Sequence, residues 1–264
     1  MAVAKAEAKA KDSVRSADER PVVLFDWGET LMWIPGMIHD PDRHLACVER
    51  IYDEHICPHI GGDCAQLPIA MFIEYYHAAC RTQIAASKQS QREHTFDDRF
   101  AMALDLAGVR PLADRATYRR MSDALGHEVV LGARLLDDAD KVIPKLAASY
   151  RLGIVSNYPH GPVVAATLER FGLRQHFDTI VVSSDTGWMK PHAECYAPAL
   201  AALPAPPGKT LMVGDDLRND VKGAKALGLH TAWIAPSAKV IDPDVDIHLK
   251  SLAELPAHCE RIFA

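Results

Sequence analysis

Pro21-Val-Val-Leu-Phe-Asp-Trp-Gly-Glu-Thr-Leu31 decides the frame of this 264-residue chain. An apolar, β-branched run that ends in one acidic residue and a glycine turn reads as a buried strand of a parallel sheet, delivering Asp26 to the sheet edge. A carboxylate in that place can cap the turn, bind a metal or attack an electrophile. Three later stretches share the design. Leu152-Gly-Ile-Val-Ser-Asn157 is a strand ending in the hydroxyl of Ser156 and the amide of Asn157; Gly187-Trp-Met-Lys-Pro191 offers Lys190 in a loop; and Thr210-Leu-Met-Val-Gly-Asp-Asp-Leu-Arg-Asn-Asp220 is a strand followed by Asp215, Asp216 and Asp220.

Between and around these stretches the periodicity changes. From 34 to 136 it is helical, with segments expected over 41–56, 67–86, 95–107 and 114–131, punctuated by Pro58, Gly61-Gly62, Gly108 and Pro111. From 137 onward strands and helices alternate: strands at 151–156, 179–183, 210–214, 230–234 and 246–249, and helices at 137–149, 162–171, 193–203, 219–227 and 252–262. Repeated strand–helix units imply an α/β fold, a Rossmann-like doubly wound parallel sheet whose ligands sit beyond the carboxyl ends of the strands. The expected organisation is a tail over 1–20, a core of 21–33 plus 137–264, and an inserted α-helical domain over 34–136.

Composition narrows the class. At 48% hydrophobic the chain has material for one good core and a smaller second one. No apolar run approaches the ~20 residues of a membrane-spanning helix. Residues 1–20 are charged and lack an apolar segment, so they read as a solvated, disordered tail rather than a targeting signal. Six cysteines without paired spacing suit reduced thiols and a cytoplasmic location. The net charge of -6 lies within residues 34–140, which leaves no basic face for nucleic acid and argues against a long polyanionic substrate.

Asp, Ser/Asn, Lys and an Asp cluster in this order, each at the end of an apolar strand or in a following loop, resemble the four motifs of the haloacid dehalogenase (HAD) superfamily over roughly residues 21–262. The insert is similar to the helical cap that many members place between the first and second motifs. The resemblance implies a Mg²⁺-dependent hydrolase of a small phosphorylated metabolite, acting as a monomer or homodimer. Asp26 would attack phosphorus and become an aspartyl phosphate. Asp26, the backbone carbonyl of Gly28, Asp215 and Asp220 would hold the metal. Ser156, with the amides of Trp27, Gly28 and Asn157, would bind the phosphoryl oxygens, and Lys190 would supply positive charge. Asp220 would also begin its helix, while Asp216 fits a solvated or supporting role as well as it fits ligation of the metal.

One position departs from the pattern. HAD phosphatases carry a second aspartate two residues after the nucleophile as general acid and base, and here that position is Gly28. Such catalysis is worth about 10²- to 10⁴-fold. Glu29 is a neighbouring replacement; alternatively, the leaving group needs no proton. Two further readings follow from the gap: a catalytically degenerate domain that binds metal and anion as a regulatory module, or a phosphonatase-like P–C hydrolase using a cap lysine, for which Lys88 is the one choice in the insert. His55 and His59 at i, i+4, near Cys57 and Cys64, hint weakly at zinc, but Pro58 interrupts them. One or two of the seven histidines of the insert (His39, His44, His55, His59, His77, His94 and His127), or Arg and Tyr residues such as Tyr75, Tyr76 and Arg81, would contact substrate if they face the cleft, and Trp27 and Trp33 would either wall the nucleophile or pack in the core.

Overall fold

The computed structural model describes residues 19–35, 40–60, 66–109, 112, 114–136 and 138–264. The expected tail over 1–20 therefore falls almost wholly outside the described residues, as do Gly61-Gly62, Cys64 and Pro111. β1 (Val22–Phe25) is buried along its whole length. It is followed by a two-residue strand, β2 (Met32–Trp33), which pairs antiparallel with β3 (Arg134–Leu135). The remaining strands are β4 (Arg151–Ser156), β5 (Thr179–Val182), β6 (Thr210–Gly214), β7 (His230–Ile234) and β8 (Ile247–Leu249). Apart from the β2–β3 pair, the strands form one parallel sheet in the order β5-β4-β1-β6-β7-β8.

The period of two in β1 divides the core. Val23 and Phe25 pack on one face with residues of α5 (Ala139–Ala147), α6 (Gly161–Arg170) and α8 (Leu255–Ile262), while Val22 and Leu24 pack on the other with Cys195, Tyr196 and Ala199 of α7 (Ala193–Ala202). A sheet covered on both faces needs predominantly apolar strands, and β1 at its centre is apolar throughout. Because the chain runs from β1 out to β4 and β5, then crosses back to β6, β7 and β8, the order reverses at β1. Asp26 stands at that reversal.

The chain leaves the sheet through β2 and returns through β3. Between them lie α1 (Pro41–Ile51), α2 (Ile69–Ser90), α3 (Phe96–Leu106) and α4 (Arg115–Gly132). Local chemistry sets their ends. Asp40 and Asp114 cap α1 and α4, and Thr95 with Asp98 forms a reciprocal capping box on α3. The insert has its own apolar core, in which Ile51, Phe72, Tyr76, Phe100 and Met121 are fully buried. The single helix expected over 41–56 does not form as such: after Ile51 the chain widens into a π-helical turn over Tyr52–Ile56 and a short turn at Cys57–His59, where Pro58 brings no N–H to the ladder.

Three contacts seat the insert on the sheet domain. Arg170 Nη1 of α6 donates to the carbonyls of Val130, Leu131 and Ala133, which end α4. His160 Nε2 lies 3.0 Å from Asp123 Oδ1. The segment 91–95, between α2 and α3, lies along the loop after β5: Glu93 N donates to Gly187 O at 3.2 Å and Met189 N to Gln91 O at 2.8 Å. Four described cysteines are free, but Cys57 is in a disulfide, which corrects the expectation of six reduced thiols. Pairing depends on spatial neighbourhood and not on regular spacing along the chain. No described helix is long and apolar enough to cross a membrane.

Candidate active site

Lys190 organises the carboxyl edge of the sheet. Its ammonium is buried, 2.9 Å from Asp26 Oδ1 and 2.7 Å from Asp220 Oδ1. Its backbone is clamped as well: Lys190 N donates to Asn157 Oδ1 at 2.6 Å, and Asn157 Nδ2 donates to Lys190 O at 3.0 Å. Asn157 thus ties the end of β4 to the lysine loop by its side chain. Burial alone would lower the lysine pKa, but Asp220 and Asp26 outweigh it and hold the group above its ordinary value.

The carboxylates come from two strand ends. Asp26 follows β1, its N–H bonded to Val213 O at 2.9 Å, and Asp215 follows β6 and accepts from Thr30 Oγ1 at 3.1 Å. Asp26, Asp215 and Asp220 each offer an oxygen within 4.8 Å of the others, and theirs is the one such group among the described residues. Among the described residues, His55 and His59 gather no comparable set. Three carboxylates facing one ammonium leave an excess of negative charge. Burial first, and Asp26 second, push Asp215 up to about 6, and burial with Asp26 also raises Asp220 against the pull of Lys190.

Asp220 does not begin the helix that follows β6. Asp216 is the cap, accepting from Arg218 N and Asn219 N at 2.8 Å each. Asp220 lies a turn further on and is buried, with Oδ1 on Lys190 and Oδ2 on Asp216 N at 3.0 Å. The correction is physical: an unpaired carboxylate at a helix start serves the first amides, and Asp216 reaches them first.

Backbone amides complete this edge. The N–H groups of Trp27, Gly28 and Asn157 donate to no acceptor among the described residues, although Trp27, Gly28 and Asn157 all line the same cavity. Buried N–H groups ordinarily find partners, so an amide cluster in this state fits an anion that binds there. Ser156 is the last residue of β4 and lines the cavity too. Glu29 is exposed, holds a left-handed backbone at φ 54° and bonds Ile34 N through its carboxylate at 3.4 Å.

The cavity, about 460 Å³, runs from this edge to the insert. Trp27 is buried beside it, anchored through Nε1–H to Thr167 Oγ1 at 3.0 Å and edge-on to Tyr158 at 5.0 Å. Trp33 does not line it, nor do Tyr75, Tyr76 or Arg81, while Lys88 is exposed on α2. The insert instead contributes His44, Ile84, Phe96, Arg99, Leu125 and Val129. Arg99 escaped the sequence reading. Its signal was present: it falls on the i, i+3, i+4, i+7 stripe of Phe96, Phe100 and Ala103, where an apolar residue would be expected.

Comparison with known proteins fits this geometry. The model of the family described as haloacid dehalogenase-like hydrolase matches residues 69–234. The chain belongs to that family. Among curated relatives of these hydrolases, it is 30% identical over 216 residues to a ribulose-1,5-bisphosphate 5-phosphatase of Halopiger xanaduensis, covering 81% of this chain and 84% of that protein. It is 32% identical over 172 residues to the HAD-hydrolase YfnB of Bacillus subtilis, covering 62% and 68%. The fold matches the magnesium-bound crystal structure of YfnB with a TM-score of 0.59 at 24% identity over 92% of this chain and all of that one. It also matches a 2-haloacid dehalogenase of Pseudomonas syringae with a TM-score of 0.64 at 20% identity over 93% and 100%.

Proposed function

We propose that this HAD-like hydrolase is a Mg²⁺-dependent phosphatase of a small phosphorylated metabolite, using Asp26 as nucleophile and residues 34–136 as a cap domain over the cavity. The observation that carries the reading is the clustering of Asp26, Lys190, Asp215 and Asp220 beside three unpartnered amides. A dehalogenase of this superfamily works without a metal and has no need of a second and third carboxylate beside its nucleophile, whereas phosphoryl transfer needs both an anion cradle and a cation. The similarity to a sugar-bisphosphate phosphatase and to a magnesium-bound hydrolase supports the same side.

The residues fit a magnesium ion. Hard carboxylate oxygens carrying excess negative charge are the donors Mg²⁺ prefers. Asp26, Asp215 and the Gly28 carbonyl would hold it, with Asp220 supporting them because both of its oxygens are already bonded. When bound, Mg²⁺ neutralises the repulsion between the carboxylates and a phosphate dianion.

In the chemical step, an Asp26 oxygen attacks phosphorus as the bond to the leaving oxygen breaks, giving an aspartyl phosphate. Water then attacks that phosphorus, releasing inorganic phosphate and restoring the carboxylate. The amides of Trp27, Gly28 and Asn157, the Ser156 hydroxyl and the Lys190 ammonium hold the phosphoryl oxygens throughout. Gly28 offers no proton, so turnover is best for leaving groups that depart as anions, or with Glu29 supplying the proton.

Phosphate release from phosphoesters, acyl phosphates and phosphonates, measured with Mg²⁺ for wild type, Asp26→Asn and Glu29→Gln, tests the reading. Turnover lost in Asp26→Asn is the expected result. Wild-type silence across the panel, in folded protein that binds Mg²⁺, would favour a binding module instead.

A further inference from the structure

Arg99 is an arginine without an anion. Its Nε donates to Gln83 Oε1 at 3.2 Å, and its guanidinium lies 4.9 Å from the centre of the Phe96 ring. It forms no ion pair with a described residue, and the one described neutral group near it besides Gln83 that can share its protons is the Tyr76 hydroxyl. Glu93, which lies within its field, holds Ser183 Oγ and the His94 N–H with its own carboxylate. Arg99 nevertheless lines the cavity from the insert side. A partly buried guanidinium is costly unless a carboxylate or phosphate pairs with it.

Its neighbours are in the same state. His44 also lines the cavity and is close enough to feel Arg99; its Nε2 is buried and has no hydrogen-bond partner. Behind the pair, Gln83 Nε2 is buried and equally unpartnered among the described residues. Burial, with Arg99 and His77 nearby, pulls His44 down to about 4, so Arg99 carries the positive charge of this end of the cavity near neutral pH. Much of the rest of the wall is apolar, with Trp27, Ile34, Phe96, Leu125 and Val129. The cavity therefore has a cationic group from the sheet edge, a second from the insert, and apolar side chains in its lining.

We propose that Arg99 and His44 form a second anion subsite, and that the substrates are phosphate monoesters carrying a further carboxylate or phosphate across an apolar body. Gln83 is a positioning residue, holding the guanidinium through Nε and leaving its terminal nitrogens for the anion. The inference rests on the phosphatase reading for the group bound at Asp26, but not for the group bound at Arg99.

The test is calorimetric binding, with Mg²⁺ present, of alkyl phosphonates two to five carbons long beside the same chains ending in carboxylate or in a second phosphonate. Wild type, Arg99→Met and Arg99→Lys would be compared, with melting curves to show that each is folded. Wild type should gain roughly 10- to 100-fold in affinity from the terminal anion at one chain length. Arg99→Met should lose that gain and bind the plain alkyl phosphonates as before, and Arg99→Lys should keep part of it. Which terminus gains more tells a carboxylate substrate from a bisphosphate. No gain in wild type at any length, or a gain that survives Arg99→Met, overturns the subsite. If no phosphonate binds but simple dicarboxylates do so through Arg99, the subsite stands and the phosphatase reading fails. If neither class binds, both fail.

Discussion

The two ends of the cavity are built on opposite principles. At the sheet end the charged groups are tied to fixed partners: Lys190 by two carboxylates and by the Asn157 clamp, Asp220 by Lys190 and the Asp216 amide, Asp215 by Thr30. At the insert end polar atoms are buried but left open, with His44 Nε2 and Gln83 Nε2 both without partners among the described residues. A site that performs chemistry must be fixed before substrate arrives, because misplacement is costly in rate. A site that selects among ligands can leave its hydrogen bonds for the correct ligand to complete, so that a wrong one strands them.

The sharpest way to break this contrast is at its fixed end. Asp26→Asn should remove turnover by about 10⁴-fold or more while leaving the fold intact, as phosphate release and melting curves together would show. Lys190→Met should be nearly as damaging to turnover and, unlike the first, should also destabilise the protein. It strands Asp26 and Asp220 without their cation, a loss of about 3–5 kcal/mol by chemical denaturation. A small effect on stability would mean that the network is less rigid than its distances imply.

Gly28→Asp works in the other direction. A Cβ at Gly28 meets only Ile34 Cγ1, at 3.6 Å, which is ordinary contact. The aspartate should therefore be accommodated and should raise turnover of esters with poor leaving groups by about 10²-fold, with little gain for acyl phosphates. If Glu29 already supplies the proton, Gly28→Asp should add little and Glu29→Gln should cost that same factor.

The smallest effects concern pH. Asp215, raised to about 6, keeps its proton in the folded state over a range where the unfolded chain, near 3.8, has lost it. Its contribution to metal-free stability therefore declines as pH rises from about 4 to about 6 and is flat above that. Mg²⁺ should reverse the trend, because binding needs the carboxylate: its affinity should fall as pH drops through about 6, read as a shrinking Mg²⁺-dependent rise in melting temperature. A Mg²⁺ effect independent of pH over that range would separate Asp215 from the metal.

These ends differed as much in the sequence as in space. Asp26, Ser156, Asn157, Lys190 and Asp215 lie at strand ends or in the following loops, so the alternation of strand and helix was enough to bring them to one edge. Asp216 and Asp220 were harder, because which carboxylate caps a helix depends on where its first turn closes, within the few residues by which such boundaries shift. Asn157 was read for its amide, and the structure adds a side-chain clamp on a loop 33 residues away. Arg99 could not be placed without tertiary contacts, since the stripe it shares with Phe96 faces the sheet domain as well as the insert's own core. Cys57 was missed for a similar reason: bonding partners are set by folding, and spacing along the chain is a weak guide.

The short run of backbone pairing between 91–95 and 187–189 gives the molecule a mechanical linkage. The covalent crossings near β2 and β3 alone would let the insert swing freely about one axis. The added tether attaches it to the peptide immediately before Lys190, with the indole of Trp188 stacked between the Arg92 guanidinium at 3.5 Å and the His192 ring at 3.8 Å. Any tilt of the four helices must either tear this joint or pull on the lysine loop. Load placed on the insert is thereby conducted along a few residues of main chain to the ammonium beside Asp26, and the proposed anion subsite and the lysine cluster belong to one lever.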